Sequence, residues 1–205
     1  MIHNRRLWMV IGALSVTAFA VLWGQGNHLQ ESYAGEVVRF HVLANSDSEA
    51  DQELKLQVRN QVGTYVGDLL QGVESKDETL EVISAHLPQI EEVAKEEIVK
   101  QGKDYDVSAK IEQVDFPVKA YGPYHMPAGV YTSLQVRIGR AKGKNWWCVM
   151  YPNMCFAGNT YEVVEGKEKK QMYQVFTVYE YKKLIESPDK EIHFKYFTKL
   201  EDKLY

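Results

Sequence analysis

The chain is poor in cysteine and has no excess of basic residues, and each shortage excludes a class of protein. Its 205 residues include two cysteines, too few for a disulfide-dense scaffold or a four-cysteine zinc site. Its 24 lysines and arginines are outnumbered by 28 aspartates and glutamates, so the net charge does not favour nucleic acid as a partner. Hydrophobic residues make up 45% of the chain, which is ordinary for a globular protein and excludes a disordered one.

One long apolar run lies near the N-terminus and predicts export. Residues 7–23 carry no charge and follow a pair of arginines, which favours an N-terminus left in the cytoplasm. The run is longer than most signal-peptide cores and shorter than most membrane-spanning helices. We therefore expect residues 1–34 to be a signal peptide or an N-terminal membrane anchor, with 7–23 contacting the membrane if uncleaved. A small-x-small tripeptide predicts cleavage after Ala34. A buried helix of a cytosolic protein is the less favoured interpretation.

The next part of the chain predicts a strand followed by helices. The polar stretch 24–35 is expected to be a linker, and the β-branched run 37–44 is expected to be a buried strand. Two shorter helices are predicted at 77–87 and 88–102, since a proline suits the first turn of the second. Before them, apolar residues recur every four positions, which predicts one buried helix face; these residues are Leu54, Val58, Val62, Val66 and Leu70.

After these helices the apolar period changes to two, which predicts strands at 105–111, 130–138 and 145–151. The order strand, helices, strands is typical of an α+β fold with an antiparallel sheet. We expect one compact domain over residues 35–157. Residues 158–205 are expected to be a C-terminal extension, packed on the domain or trailing from it. Within that extension, 171–177 is predicted to be a strand and 178–186 a helix.

The two cysteines, Cys148 and Cys155, flank a predicted turn at Tyr151-Pro152. A hairpin there would bring their Cα atoms within the roughly 4.4–6.8 Å that a disulfide requires, and export permits oxidation. We expect a disulfide; two buried thiols, or a reactive or metal-binding thiol, are the alternatives. A thiol hydrolase would need a histidine base, but the sequence shows no known signature around either cysteine. The candidate bases for that alternative are His41, His86, His125 and His193. Because the signature is missing, we predict no catalytic residue.

Two further features invite a binding interpretation. Trp146 and Trp147 would point to opposite faces of a strand, so one is expected in the core and the other against solvent, a partner or a sugar. The alternative is that helices or the C-terminal segment cover both faces. Asn45, Asp47 and Ser48 follow the first predicted strand and favour a helix cap. A calcium loop is the weaker interpretation of this acidic stretch, because the glycine and the final glutamate of an EF-hand are missing. The scattered histidines predict no metal site and no cofactor.

These motifs, in this order, resemble the stage II sporulation protein R family. The resemblance rests on Arg39-Phe-His-Val-Leu-Ala-Asn-Ser-Asp47 and on Gly143-x-Asn-Trp-Trp-Cys148-Val. It is extended by Pro127-Ala-Gly-x-Tyr131 and by Cys155-Phe, and spans roughly residues 37–156. It implies an exported signalling protein of endospore-forming bacteria that is not itself an enzyme.

The resemblance also implies a location and a partner. The protein would act in the space between the forespore and mother-cell membranes, secreted or anchored. There it would activate a membrane-embedded aspartic protease of the mother cell, on its extracytoplasmic face, and that protease would process pro-sigma-E. An exported thiol hydrolase and a wall-glycan-binding module are the alternatives. The residues that we expect to contact the partner are His41, Asn45, Asp47, Trp146 and Trp147.

Overall fold

The first described element that packs on the domain is a helix, not the expected linker. The computed structural model describes residues 14–17, 19, 24, 29–121, 124–154 and 172–185, and residues 29–36 in it are helical (α1). Tyr33 of α1 is 1% exposed and shares a buried cluster with Val37. The polar composition of 24–35 concealed this short helix, because one buried aromatic residue supplies most of its apolar contact.

Three helices form one layer of the domain: α2 (Glu49–Leu69), α3 (Lys76–Ala85) and α4 (Leu87–Lys100). Helix α2 begins after Ser48, whose hydroxyl accepts a hydrogen bond from the Asp51 N–H at 3.2 Å, as expected for a helix cap. The predicted apolar face is confirmed, since its first four members are buried: Leu54, Val58, Val62 and Val66.

The strands form one four-stranded sheet and a separate small hairpin. Strand β1 (Val38–Leu43) precedes the helices, and the others follow them: β2 (Val107–Phe116), β3 (Lys119–Tyr121), β4 (Tyr124–Met126), β5 (Gly129–Ile138) and β6 (Asn145–Tyr151). The sheet order is β2-β5-β1-β6, and β3 pairs with β4. Helices and this sheet in one compact domain confirm the predicted α+β class.

The sheet is mixed, whereas the sequence predicts an antiparallel one. Strand β1 pairs parallel to β5 and antiparallel to β6. A short turn joins β5 to β6, so these two strands run in opposite directions. Because β1 lies between them, it must run parallel to one of the two. Sequence periodicity does not reveal such an insertion, since it favours pairing of consecutive strands.

The sheet buries both of its faces, and the second face is covered by several short elements. Alternate β1 residues, such as Phe40, join a core with the α2–α4 layer. The other face packs with α1, the β3–β4 hairpin, a helical turn at 172–175 (α5) and α6 (Val178–Ile185). Helix α6 confirms the prediction for 178–186.

The strand predicted at 171–177 is wrong, because residues 172–175 are helical. Met172 and Phe176, four residues apart, are both buried, which is helical spacing. Residues 155–171 and 186–205 lie outside the described part of the chain, as does most of the predicted anchor at 7–23. Among the residues that the structure does describe, none belongs to a helix both long and apolar enough to cross a bilayer.

Candidate functional site

Arg39 is fully buried on the sheet face that turns away from the α2–α4 layer. Its guanidinium carbon lies 4.2 Å from the ring centroid of Phe116 and 5.0 Å from that of Tyr131. Arg39 Nε donates to the Cys148 carbonyl at 3.0 Å, and Nη2 donates to the Tyr121 hydroxyl at 2.7 Å. Burial lowers the pKa of Arg39, and nearby Tyr121 opposes that effect. Aromatic faces and oxygen acceptors thus hold this cation in the core.

His41 lies two residues farther along β1 on the same face, and it is 3% exposed. Its ring stacks on Trp147, with the centroids 3.7 Å apart and the planes 16° apart. By distance and angle, neither ring nitrogen has a hydrogen-bond partner among the described residues. Burial lowers the pKa of His41 to about 4; the charges of Arg137 and Arg39 act the same way, while the Asn145 side chain opposes them. His41 is therefore neutral near pH 7, when a buried charge would be unfavourable.

The tryptophan pair does lie on opposite faces of β6, as predicted. Trp147 packs beside His41 and Phe116, with 4.5 Å between the Trp147 and Phe116 centroids. Trp146 packs on the helical side, 5.5 Å from the Phe40 centroid and 5.0 Å from the guanidinium carbon of Arg59. Both tryptophans are half-buried. The expected division into one core and one exposed tryptophan is therefore wrong, because each ring has protein on one side.

The loop after β1 is fastened to the turn between β5 and β6, residues 139–144. Asn45 is 7% exposed; its Nδ2 donates to Asp51 Oδ2 at 2.8 Å, and its Oδ1 accepts from the Arg140 N–H at 3.0 Å. Exposed Asp47 accepts from the Lys144 N–H at 2.6 Å. Burial raises the pKa of Asp51, but hydrogen bonds from Ser46 and Asn45 outweigh it and lower the pKa. Asn45 and Asp47 thus connect the loop after β1 to the turn 139–144. Contact of these two residues with a partner stays a prediction.

Three residues of this junction were not among the predicted contact residues. Gly139 has a φ of +55°, and a Cβ there would lie 2.5 Å from Asn45 Oδ1. A Cβ on Gly143 would overlap the Ser46 carbonyl. Lys55 is 5% exposed, and its Nζ donates to the Lys144 carbonyl at 3.0 Å. Two glycines bracketing a short turn were the available signal, and they indicate close backbone contact.

Cys148 and His41 cannot act together as a nucleophile and base. Cys148 lies opposite Phe40 on the helical face, whereas His41 lies opposite Trp147 and faces the other way. Cys148 is 3% exposed. Cys155 lies outside the described residues, so the disulfide stays a prediction.

The remaining histidines are dispersed. His86 Nδ1 lies 2.7 Å from the Val82 carbonyl at the end of α3, His125 is half-buried in β4, and His193 is outside the described residues. No three histidine, cysteine, aspartate or glutamate side chains come together to hold a metal ion within the part of the chain that is described.

Comparison with known proteins identifies relatives of this domain. The family model described as Stage II sporulation protein R matches residues 34–161, a stretch that contains the whole sheet. Stage II sporulation protein R of Bacillus subtilis (strain 168) is 36% identical over 137 residues, which are 66% of this chain and 61% of that protein. The chain thus matches about three fifths of the length of that curated relative. No solved structure matches.

Proposed function

We propose that the chain, which belongs to the stage II sporulation protein R family, is an exported sporulation signal. In this proposal it enters the space between the forespore and mother-cell membranes, secreted or held by residues 7–23. There it binds the extracytoplasmic face of a membrane-embedded aspartic protease, which then processes pro-sigma-E. The observation that carries the proposal is the family match over residues 34–161, which includes every strand of the sheet.

The geometry of the two sheet faces argues against a thiol hydrolase built from Cys148 and His41. A thiol hydrolase needs a base within hydrogen-bond distance of its nucleophile, and Cys148 and His41 project from opposite faces. A general base works best with a pKa near the ambient pH, whereas the pKa of His41 is about 4. These observations support a protein that acts through its surface.

Of the predicted contact residues, Asp47 and Trp147 lie near one end of the sheet, which supports a contact region there, whereas His41 and Asn45 are buried. Leu43, the last residue of β1, lies opposite Asn145, the first residue of β6. The exposed Asp47 is hydrogen-bonded to Lys144 beside them, and Trp147 follows two residues after Asn145. We name Asp47, Lys144 and Asn145, all exposed, the β1–β6 end. A partner that binds this end more tightly in its active state would be shifted towards that state.

Reconstitution in growing, non-sporulating cells tests the proposal. The full chain is co-expressed with the protease and pro-sigma-E, and the size of the precursor is read on a blot. We expect a shortened precursor that requires both this chain and the protease. The matched control is the chain that begins at residue 29, which keeps α1 but lacks the apolar run and should not be exported. An uncut precursor, despite verified export and an active protease, would overturn the proposal.

A further inference from the structure

Strand β2 is at the edge of the sheet, and one of its sides is open. It pairs with β5 in an unbroken antiparallel register from Val107 to Phe116. In such a ladder, alternate residues direct their N–H and C=O groups towards the neighbouring strand or away from it. The Ala109 N–H donates to Glu91 Oε1 of α4 at 2.7 Å, so the backbone N–H and C=O groups of Ala109 point away from β5. By the same alternation, the next odd-numbered residues of β2 also point away.

These next residues are Ile111, Gln113 and Asp115. Within the described part of the chain, the outward N–H and C=O groups of all three have no hydrogen-bond partner. Glu91 occupies the edge at Ala109, and Pro117 follows the strand at its other end. The open stretch, residues 111–116, is therefore about 20 Å long, and we call it the β2 edge.

The β2 edge continues into exposed apolar surface. Val118, just beyond the strand, is 52% exposed. Natural sheets usually protect an edge with prolines, bulges or covering elements; here Glu91 covers the Ala109 end and Pro117 follows the other end, and the stretch between them has no backbone partner on its outward side among the described residues. An open backbone edge that continues into the exposed Val118 is the arrangement to which an extended segment binds by strand addition.

We propose that the β2 edge binds an extended segment of a partner protein as a fifth strand of the sheet. The identity of that partner rests on the proposed function, which makes it the extracytoplasmic part of the protease. The segment would carry an apolar side chain beside Val118 and a basic one beside Asp115, which is exposed. It would form a second contact, separate from the β1–β6 end, since Phe116 and Leu43 lie at opposite ends of the sheet.

A second copy of this chain fits the β2 edge less well. Two copies of the β2 edge can align all three outward residues (Ile111, Gln113 and Asp115) in only one antiparallel register. In that register, Gln113 of one copy lies opposite Gln113 of the other. That register places Ile111 opposite Asp115 twice. An apolar side chain beside a carboxylate is a poor cross-strand pair. A different partner sequence can avoid this mismatch, so the geometry favours a different protein.

Proline substitution separates the backbone of the β2 edge from its side chains. Gln113→Pro removes one outward N–H and leaves the hydrogen bonds to β5 intact, as edge strands tolerate. Gln113→Ala is the matched control because it keeps that N–H. Both variants lose the side-chain hydrogen bond from Gln113 Nε2 to Thr132 Oγ1, at 2.9 Å. We expect Gln113→Pro to reduce precursor processing about tenfold and Gln113→Ala to leave it near the wild-type level.

The full chain is used throughout, and thermal unfolding of each purified variant verifies its fold. If Gln113→Pro does not fold, Asp115→Pro makes the same test two residues away. A photoreactive side chain at position 115 should crosslink to the protease; an adduct with a second copy of the chain alone would overturn the choice of partner. Processing at the wild-type level by folded proline variants would overturn the strand-addition inference and leave the proposed function standing. An inactive wild-type chain would overturn both.

Discussion

Trp147 lies flat on His41, with ring centroids 3.7 Å apart, although the two residues belong to different strands. His41 and Arg39 form a buried row on one face of β1, and the Trp147 ring covers one side of this row. The row contains a cation and an imidazole without a carboxylate among their described hydrogen-bond partners. Aromatic rings take the place of counter-ions here, and the protonation of His41 therefore bears directly on stability.

We expect the domain to lose stability in mild acid through His41. The pKa of His41 is about 4 in the folded protein against 6.5 in the unfolded chain, so the unfolded state binds the proton first. The stability is complete above pH 6.5 and falls as the pH decreases towards 4. The loss at pH 5 should be about 2 kcal/mol. Urea unfolding at pH 7.5 and pH 5 measures it.

His41→Phe is the control for this pH dependence, since phenylalanine keeps a ring against Trp147 and cannot titrate. Its free energy of unfolding should change less between the two pH values than that of the wild type. Equal changes in the two proteins would show that His41 is not the group responsible.

A second prediction concerns the contact between Asn45 and Gly139. Gly139→Ala meets two penalties, a positive φ and an overlap of its Cβ with Asn45 Oδ1. Gly102 has a similar φ of +71° with no atom near its missing Cβ, so Gly102→Ala isolates the backbone penalty, about 1–2 kcal/mol. We expect Gly139→Ala to be the more destabilising of the two in denaturant unfolding.

The excess should shrink when Asn45 is first replaced by alanine, which removes Oδ1 but keeps the Cβ that would lie 3.1 Å from the new methyl group. Asn45→Ala alone should cost about 2–3 kcal/mol, because it leaves buried Asp51 without one donor and the Arg140 N–H without its acceptor. A double-mutant cycle gives the coupling between positions 45 and 139. No coupling would mean that the turn moves away from Asn45 freely.

The regular elements of this fold could be predicted from periodicity, and the site only in part. The buried face of α2 and the opposite orientations of Trp146 and Trp147 follow from spacing alone. The sequence also marked Ser48 as a helix cap, and Ser48 caps α2. Each of these features depends on residues close together in the chain.

Long-range features escaped prediction because local patterns do not encode them. Arg39 reads as a polar interruption of an apolar strand, and its burial depends on Phe116 and Tyr131, which are distant in sequence. The insertion of β1 between β5 and β6 depends on which strands meet after collapse. Helix α1 is stabilised by contact with α6, through Tyr33 and Glu180, which are 147 positions apart in the chain.

The cysteines give a third prediction. If Cys148 and Cys155 form the predicted disulfide, the unfolded protein should react with a thiol reagent only after reduction. The eight-residue loop predicts that Cys155→Ala costs about 2.5 kcal/mol. At a temperature where the Cys155→Ala protein remains folded, its signalling should equal that of the wild type. Loss of signalling by folded Cys148→Ala and Cys155→Ala proteins would favour the thiol hydrolase instead.

A fourth prediction tests the β1–β6 end as a contact region. Asn145 is exposed, so Asn145→Arg adds bulk and charge at the surface, and it also removes the Asn145 side chain that acts on His41. We expect it to reduce precursor processing severalfold while leaving the melting temperature within a few degrees of the wild type. Gln61→Arg makes the same change at an exposed position of α2 and should signal normally. Equal signalling by both variants would place the contact elsewhere.

The last prediction concerns the N-terminal boundary of the domain. Cleavage after Ala34 would remove Tyr33, which is 1% exposed and whose hydroxyl donates to the Glu180 carbonyl at 2.8 Å. It would also remove the Ala34 carbonyl, which accepts from Lys76 Nζ at 3.0 Å. A chain that begins at Gly35 should therefore be less stable than one that begins at Gly24, by about 3–5 kcal/mol for the lost aromatic side chain.

Tyr33→Phe, in the chain that begins at Gly24, separates the hydroxyl from the ring. It keeps the buried ring and should cost only about 1 kcal/mol, the value of one hydrogen bond. Chemical unfolding of the three proteins orders their stabilities. If the chains beginning at Gly24 and Gly35 are equally stable, α1 contributes nothing to the domain and cleavage after Ala34 carries no penalty. If the shorter chain is destabilised as expected, export processing that preserves the fold must cut before residue 29, because the apolar contacts of α1 begin at Leu29.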